Sequence, residues 1–185
     1  MEKCFVTFNR CLNLKKLSLS RIAFAAFSLT LSAASSAALL ATERVNISNT
    51  GAQANSFSYK ASISANGNHI AFFSNASNLV ADDFNAFGDI FVRDLTTGVT
   101  ERVNVDSAGN EAMGHSEFGD ISADGRYVVF SSHADNLVPG DTNGWDDVFI
   151  RDRELGTTER LSVSTSGAQT NWWSQEPSIS GDGRY

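Results

Sequence analysis

An all-β fold assembled from repeated four-stranded antiparallel units is what this sequence predicts, and three observations carry the prediction. First, residues 43–100 and 101–158 align without a gap at a period of 58, with 25 of the 58 positions identical. Chance at average composition gives about four. Residues 159–185 begin a third copy. Second, apolar residues within a copy recur with a period of two, and no stretch carries the stripe of an amphipathic helix. Third, Asp124-Gly125 and Leu155-Gly156 stand where hairpin turns are needed between apolar runs. Internal repetition of this length indicates a propeller or a related array.

The second copy shows the elements in order. Residues 117–122 read as a short strand and 123–126 as a tight turn, in which the Asp-Gly pair tolerates positive φ. Residues 126–132, β-branched and aromatic, form a second strand. A long polar connection, 133–146, leads to a third strand at 147–152. Residues 153–156 turn the chain, with Gly156 as the left-handed residue. Residues 157–163 alternate and form a fourth strand. Four antiparallel strands make one propeller blade. The near-continuous apolar runs 127–130 and 148–150 suit a sheet covered on both faces by neighbouring blades.

Residues 1–37 read differently. Lys3, Arg10, Lys15, Lys16 and Arg21 give a basic start, an apolar run follows from Ile22 to Leu31, and small residues run to Ala38. This is the pattern of a secretory signal peptide cleaved after Ala37 or Ala38. The propeller part then spans 38–185, and no membrane span is expected after cleavage. Beyond the leader there are 20 acidic and nine basic side chains, a net charge of −11, and no cysteine. That acidity argues against a nucleic-acid partner, which requires clustered Lys and Arg. Both cysteines, Cys4 and Cys11, lie in the leader, so neither a disulfide framework nor a cysteine zinc site is expected.

The motif Ile-Ser-Ala-Asp-Gly-Arg-Tyr-Val-Val-Phe-Ser-Ser at 121–132 is followed by Asn136-Leu-Val, Asp147-Val-Phe-Ile-Arg-Asp152 and Gly156-Thr-Thr-Glu-Arg160. Together these resemble the TolB-type, WD-repeat-like β-propeller family of bacterial envelope proteins. The third copy keeps Pro177-Ser-Ile-Ser-Gly-Asp-Gly-Arg-Tyr185, whereas the first has Asn66 and Asn68 at the motif's Asp and Arg positions but retains Gly67. The resemblance implies an exported, non-catalytic propeller in the periplasm or outside the cell. It would act as a binding platform for an envelope protein, a peptide or a glycan. Because such propellers also accompany peptidases, the alternative is the propeller part of a larger oligopeptidase-like hydrolase whose catalytic part lies beyond residue 185. Residues 43–47 match the fourth strand of a blade and are expected to complete a ring. The chain therefore reads as part of a longer propeller of about six to eight blades, the others missing from it.

Successive strands carry the chain from one face of the disc to the other. The short turns at 124–125 and 155–156 should share one face, and the long connections 133–146 and 164–176 the opposite one. Long loops on a rigid scaffold are where function concentrates. The first connection places Asp141, Asn143 and Asp147 around Gly144, and its counterpart carries Asp83, Asn85 and Asp89. Oxygen donors at this spacing resemble a calcium loop, although no bidentate Glu closes it, and the alternative is a set of Asx-turns that shape the loop. The second connection carries Asn171, Trp172, Trp173 and Gln175, and the matching segment of the previous copy holds His115. Adjacent indoles beside amides can stack on a sugar or grip a peptide. Catalytic signals are weak. Gly114-His-Ser-Glu-Phe-Gly119 lacks the second glycine of a nucleophile elbow, and His69, His115 and His133 have no zinc spacing.

Overall fold

The computed structural model of the chain describes residues 42–185; the expected leader and its cleavage point lie outside the described residues. Two four-stranded sheets form. The first runs through β1 (Ser58–Ile63), β2 (His69–Ser74), β3 (Asp89–Asp94) and β4 (Thr100–Arg102). The second runs through β5 (Ser116–Ile121), β6 (Tyr127–Ser132), β7 (Asp147–Asp152) and β8 (Thr157–Arg160). Each is an antiparallel meander in sequence order, and no helix occurs among the described residues.

The two registers are superimposable at an offset of 58. Phe72 lies opposite Phe91 in the first sheet and Phe130 opposite Phe149 in the second. Both pairs stack, with ring centroids 5.9 and 5.8 Å apart. Face-to-face packing of the sheets builds the core: Ala71, Phe73, Ile90 and Val92 meet Val128, Phe130 and Phe149. Complete burial of such side chains stabilises by about 1.5–3 kcal/mol each.

Equivalent residues of successive copies touch each other. Ser62 Oγ donates to Asp120 Oδ1 at 2.6 Å, Tyr59 Oη to Glu117 at 3.4 Å, and Ser178 Oγ to Asp120 Oδ2 at 3.2 Å, each pair 58 residues apart. Identical positions come closest only near the axis relating the copies. The first strand of each sheet is therefore innermost, as in a propeller, and the fold is two blades of an incomplete propeller. Burial pushes the Asp120 carboxyl up, but hydrogen bonds from Ser62, Ile179, Ile121 and Ser178 outweigh it and hold its pKa below the usual range.

The innermost strand carries a bulge at the same place in both sheets, and the matching residue of the third copy shares its backbone conformation. Lys60, Phe118 and Glu176, again 58 apart, all have positive φ, at 50°, 57° and 54°. The register slips between Tyr59 and Ser62, and between Glu117 and Asp120. Side chains this different share one uncommon conformation because the bulge, not the residue, is the repeated feature.

The tight turns obey one rule. Ser64, Ser122 and Ser180 donate to Asn66, Asp124 and Asp182 at 2.6–2.7 Å, and their hydroxyls accept the backbone N–H of His69, Tyr127 and Tyr185. Asn66 departs from the motif's Asp without consequence, since an amide oxygen accepts as well as a carboxylate oxygen.

One expected boundary needs correction, and two strand-like segments stand outside the sheets. The fourth strand ends at Arg160, not at residue 163, because Val163 turns away to bridge Gln169. The same small bridge joins Ile47 to Gln53 and Val105 to Glu111, so residues 43–47 form no sheet strand. Residues 177–185 make their turn and lean on the second sheet, through Ile179 N–H to Asp120 and Ala123 N–H to Gly181 O, without becoming a strand. A strand needs a lateral partner, and the described residues supply none for either segment.

Candidate functional site

The two kinds of loop separate as expected. The short turns gather around a cavity lined by His69, Asp124, Gly125, Arg126, Arg153 and Glu154. The long connections meet elsewhere: Asn143 Nδ2 donates to Thr170 O at 3.0 Å and Ser174 N–H to Asp146 O at 2.8 Å.

The acidic loops are built around arginine. Arg160 Nη1 lies 3.1 Å from Asp141 and 3.4 Å from Asp147, and donates to Gln169 at 2.9 Å. Asn143 donates to Asp147 Oδ2 at 2.9 Å, and its own carbonyl accepts Trp145 N–H in an Asx-turn. Asp147 also accepts from Ser162 and Thr170. In the first copy Arg102 Nη1 is 3.6 Å from Asp83, 3.6 Å from Asp89 and 2.9 Å from Glu111, while Asn85 caps Phe87 N–H and reaches Ala112 O. Burial, the largest influence, raises the pKa of Asp83 and Asp141 and pushes Asp89 up to about 6. Each guanidinium occupies the position a cation would take between the loop carboxylates. Among the described residues, no three His, Cys, Asp or Glu side chains converge as a metal-holding group. The donor set of these loops, as arranged, fits an internal ion pair better than calcium.

The aromatic residues form a different kind of site. Trp172 and Trp173 are 61 % and 57 % exposed. Trp145, from the acidic loop, joins them: its ring lies 4.8 Å from that of Trp172 and 5.7 Å from that of Trp173, and Trp172 and Trp173 are 5.7 Å apart. All three tryptophans of the chain therefore meet in one cluster. The edge-on contact of Trp145 with Trp173 repeats that of Phe87 with His115, 5.1 Å apart, at positions 58 residues earlier. Trp172 is the addition, because its counterparts are Ser56 and Gly114.

Asp146 and Gln175, each close in sequence to one of these indoles, line a cavity of about 220 Å³ with His115, Glu117, Phe118 and Ser131. Gln175 donates to Asp146, which also contacts His133 Nδ1 at 3.0 Å. His115 Nδ1 accepts Gly88 N–H at 3.0 Å, which leaves the ring proton on Nε2 when the imidazole is neutral. Glu117 ion-pairs with Lys60 at 3.5 Å, whose Nζ sits 3.1 Å above the Phe118 ring.

Of the residues singled out in the sequence, Trp172 and Trp173 join in the cluster and His115 and Gln175 in the adjoining cavity. Asn171 is exposed and lines neither. Trp145, Glu117 and Asp146 were missed. The alignment held a signal for Trp145, which matches the aromatic Phe87, but nothing in it joins two loops about 30 residues apart.

No protein-family model matches the chain, and no curated protein matches it. Solved structures resemble it in part. TolB from Acinetobacter baumannii is 19 % identical with a TM-score of 0.43, over 71 % of this chain and 25 % of that one. A putative TolB from Agrobacterium tumefaciens is 21 % identical with a TM-score of 0.39, over 58 % and 31 %. The β-propeller domain of the Trilobed protease from Pyrococcus furiosus, described as having an open velcro topology, is 21 % identical with a TM-score of 0.38, over 56 % and 28 %. The matched region spans between a quarter and a third of each of these chains.

Proposed function

We propose that the chain is an exported, non-catalytic binding platform whose recognition surface is the long-loop face. One observation carries the reading. The three indoles form a contiguous aromatic surface, two of them more than half exposed, beside a polar cavity. Exposed aromatic clusters rimmed by polar groups mark binding sites, since a soluble protein otherwise buries such area. Rigidity supports it, because the two loops are tied to each other and the first packs on the core through Ala134, Leu137 and Val138. The arginine-centred acidic loops are scaffolding in this reading, which dispenses with calcium.

The test is to replace Trp172 by Ala and to follow ligand engagement beside thermal stability. A binding role predicts lost engagement with Tm within about 2 °C of the parent, since the ring is mostly exposed. A fall in Tm with engagement intact places the indole in the structure alone. Export rests on the leader pattern. A reporter fused behind residues 1–37 should reach the periplasm or the medium; retention in the cytoplasm contradicts it.

A further inference from the structure

The geometry points to an uncharged saccharide as the ligand of the tryptophan cluster and its adjoining cavity. This inference rests on the binding-platform reading and deepens it.

Three features select the ligand class. The first is the platform. The indole of Trp172 lies at 36° to both Trp145 and Trp173, with centroids 4.8 and 5.7 Å away. Trp172 and Trp173 are more than half exposed, so the cluster presents an open face rather than a closed socket. The C–H face of a pyranose covers such a surface, whereas an apolar peptide side chain gains most in an enclosing pocket.

The second feature is the cavity. Glu117, Ser131, Asp146 and Gln175 supply carboxylate, hydroxyl and amide groups. Each sugar hydroxyl is both donor and acceptor, so a mixed lining of this kind can satisfy a ring of them. The cavity's volume of about 220 Å³ suits one small ring, not a folded peptide segment. The strand that borders it, β5, is the edge of its sheet, but it is bulged between Glu117 and Asp120 with a positive φ at Phe118, a poor template for an added extended peptide.

The third feature is charge. The lining carries two carboxylates, Glu117 and Asp146, and neither Lys nor Arg. Lys60 is tied to Glu117, and the chain as a whole is at −7. A uronic or sialic acid would bring a third negative charge into this space. A neutral sugar meets no such opposition.

The chain's three tryptophans all lie in this cluster, so their indole N–H resonances report on the site and on nothing else. The full chain is titrated with tetra-N-acetylchitotetraose and cellotetraose as neutral probes, with tetragalacturonate as the anionic probe, and with an equimolar pool of random decapeptides. The expected result is movement of the indole resonances with a neutral tetrasaccharide and binding at least about tenfold weaker for tetragalacturonate. Trp172→Ala should weaken neutral-sugar binding about tenfold or more, and Gln175→Ala should weaken it by a smaller factor, with the far-UV spectrum and urea midpoint of both variants unchanged. Indole shifts with the peptide pool but with no saccharide overturn the saccharide assignment and leave the platform reading standing. Equal or tighter binding of tetragalacturonate overturns the charge argument and with it the assignment. If no probe moves an indole resonance, both readings fall.

Discussion

Gly125→Ala tests how the blades lock together. The residue has a φ of +82°, and a Cβ there would sit 2.3 Å from Nδ1 and 2.6 Å from Cγ of His69, a ring from the preceding blade. Gly67 occupies the same turn position one copy earlier, with a φ of +71°, and has nothing within 4 Å. Alanine at either site incurs the left-handed backbone strain, about 1–2 kcal/mol. Only at 125 must an imidazole also be displaced, and overpacking of that kind costs about 1–3 kcal/mol more. Gly67→Ala should therefore lose about 1–2 kcal/mol and Gly125→Ala about 2–5 kcal/mol, as read from urea midpoints at constant m. Truncating the ring in the background, as His69→Ala, should bring the Gly125→Ala cost down to that of Gly67→Ala. Gly183, whose Cβ would meet the Tyr127 ring at 2.5 Å, should behave like Gly125. Equal losses at 67 and 125, or no coupling to His69, would refute the claim that the aromatic side chain of one blade seats beneath the next blade's turn.

Other predictions concern charge. Burial, reinforced by Arg153, holds the His69 pKa below its ordinary value. The folded state therefore resists protonation, and stability falls as pH drops below about 6.5; in His69→Gln, urea midpoints should lose that part of the slope. The side-chain hydrogen bonds from Arg126, at 2.7 Å from Nη2 and 3.0 Å from Nε, pull Asp152 down to about 2. Its contribution is complete above about pH 4 and vanishes as pH falls toward 2, and Asp152→Ala should cost about 2 kcal/mol by denaturant titration at neutral pH. Asp89 behaves oppositely: burial raises it to about 6, so its protonated form favours folding and stability declines as pH rises from about 4 through 6. Asp89→Asn should flatten that interval in a pH series of Tm. Removing Arg160 strands Asp141 and Asp147, at a cost of about 3–5 kcal/mol, and a chelator should not move the parent's Tm; a calcium-dependent shift would restore a metal to the acidic loops.

Much of the fold was legible because the repeat exposes it twice. Strands 127–132 and 147–152 were marked by β-branched and aromatic runs, and their hairpin partners by Gly125 and Gly156. Local chemistry sufficed there. It failed where an outcome depends on a lateral neighbour. Residues 43–47 and 177–185 carry strand-like sequences, yet pairing decides whether they become strands. Legibility of the site followed the same division. The pattern Asp141, Asn143 and Asp147 is compatible with calcium or with Asx-turns, and only the arrival of Arg160 from β8 separates the two. Trp172 and Trp173 stood out by composition, whereas Trp145 enters by a long-range loop contact that no local pattern encodes. The positive-φ positions Lys60, Phe118 and Glu176 were invisible because three unrelated side chains occupy them.

The relation between the two sheets underlies every other statement, and a NOESY spectrum on methyl-labelled protein reads it directly. The Ile90 side chain packs against the Gly119 backbone, with Cγ2 2.8 Å from where a Cβ would stand, and Phe73 and Val92 share a core with Val128 and Phe130. Cross-peaks from Ile90 methyls to Gly119 Hα, and from Val92 to Val128, are the predicted result. If strands pair within each sheet but no cross-peak joins β1–β4 to β5–β8, the copies are independent units and the shared axis, with the loop face built on it, is contradicted.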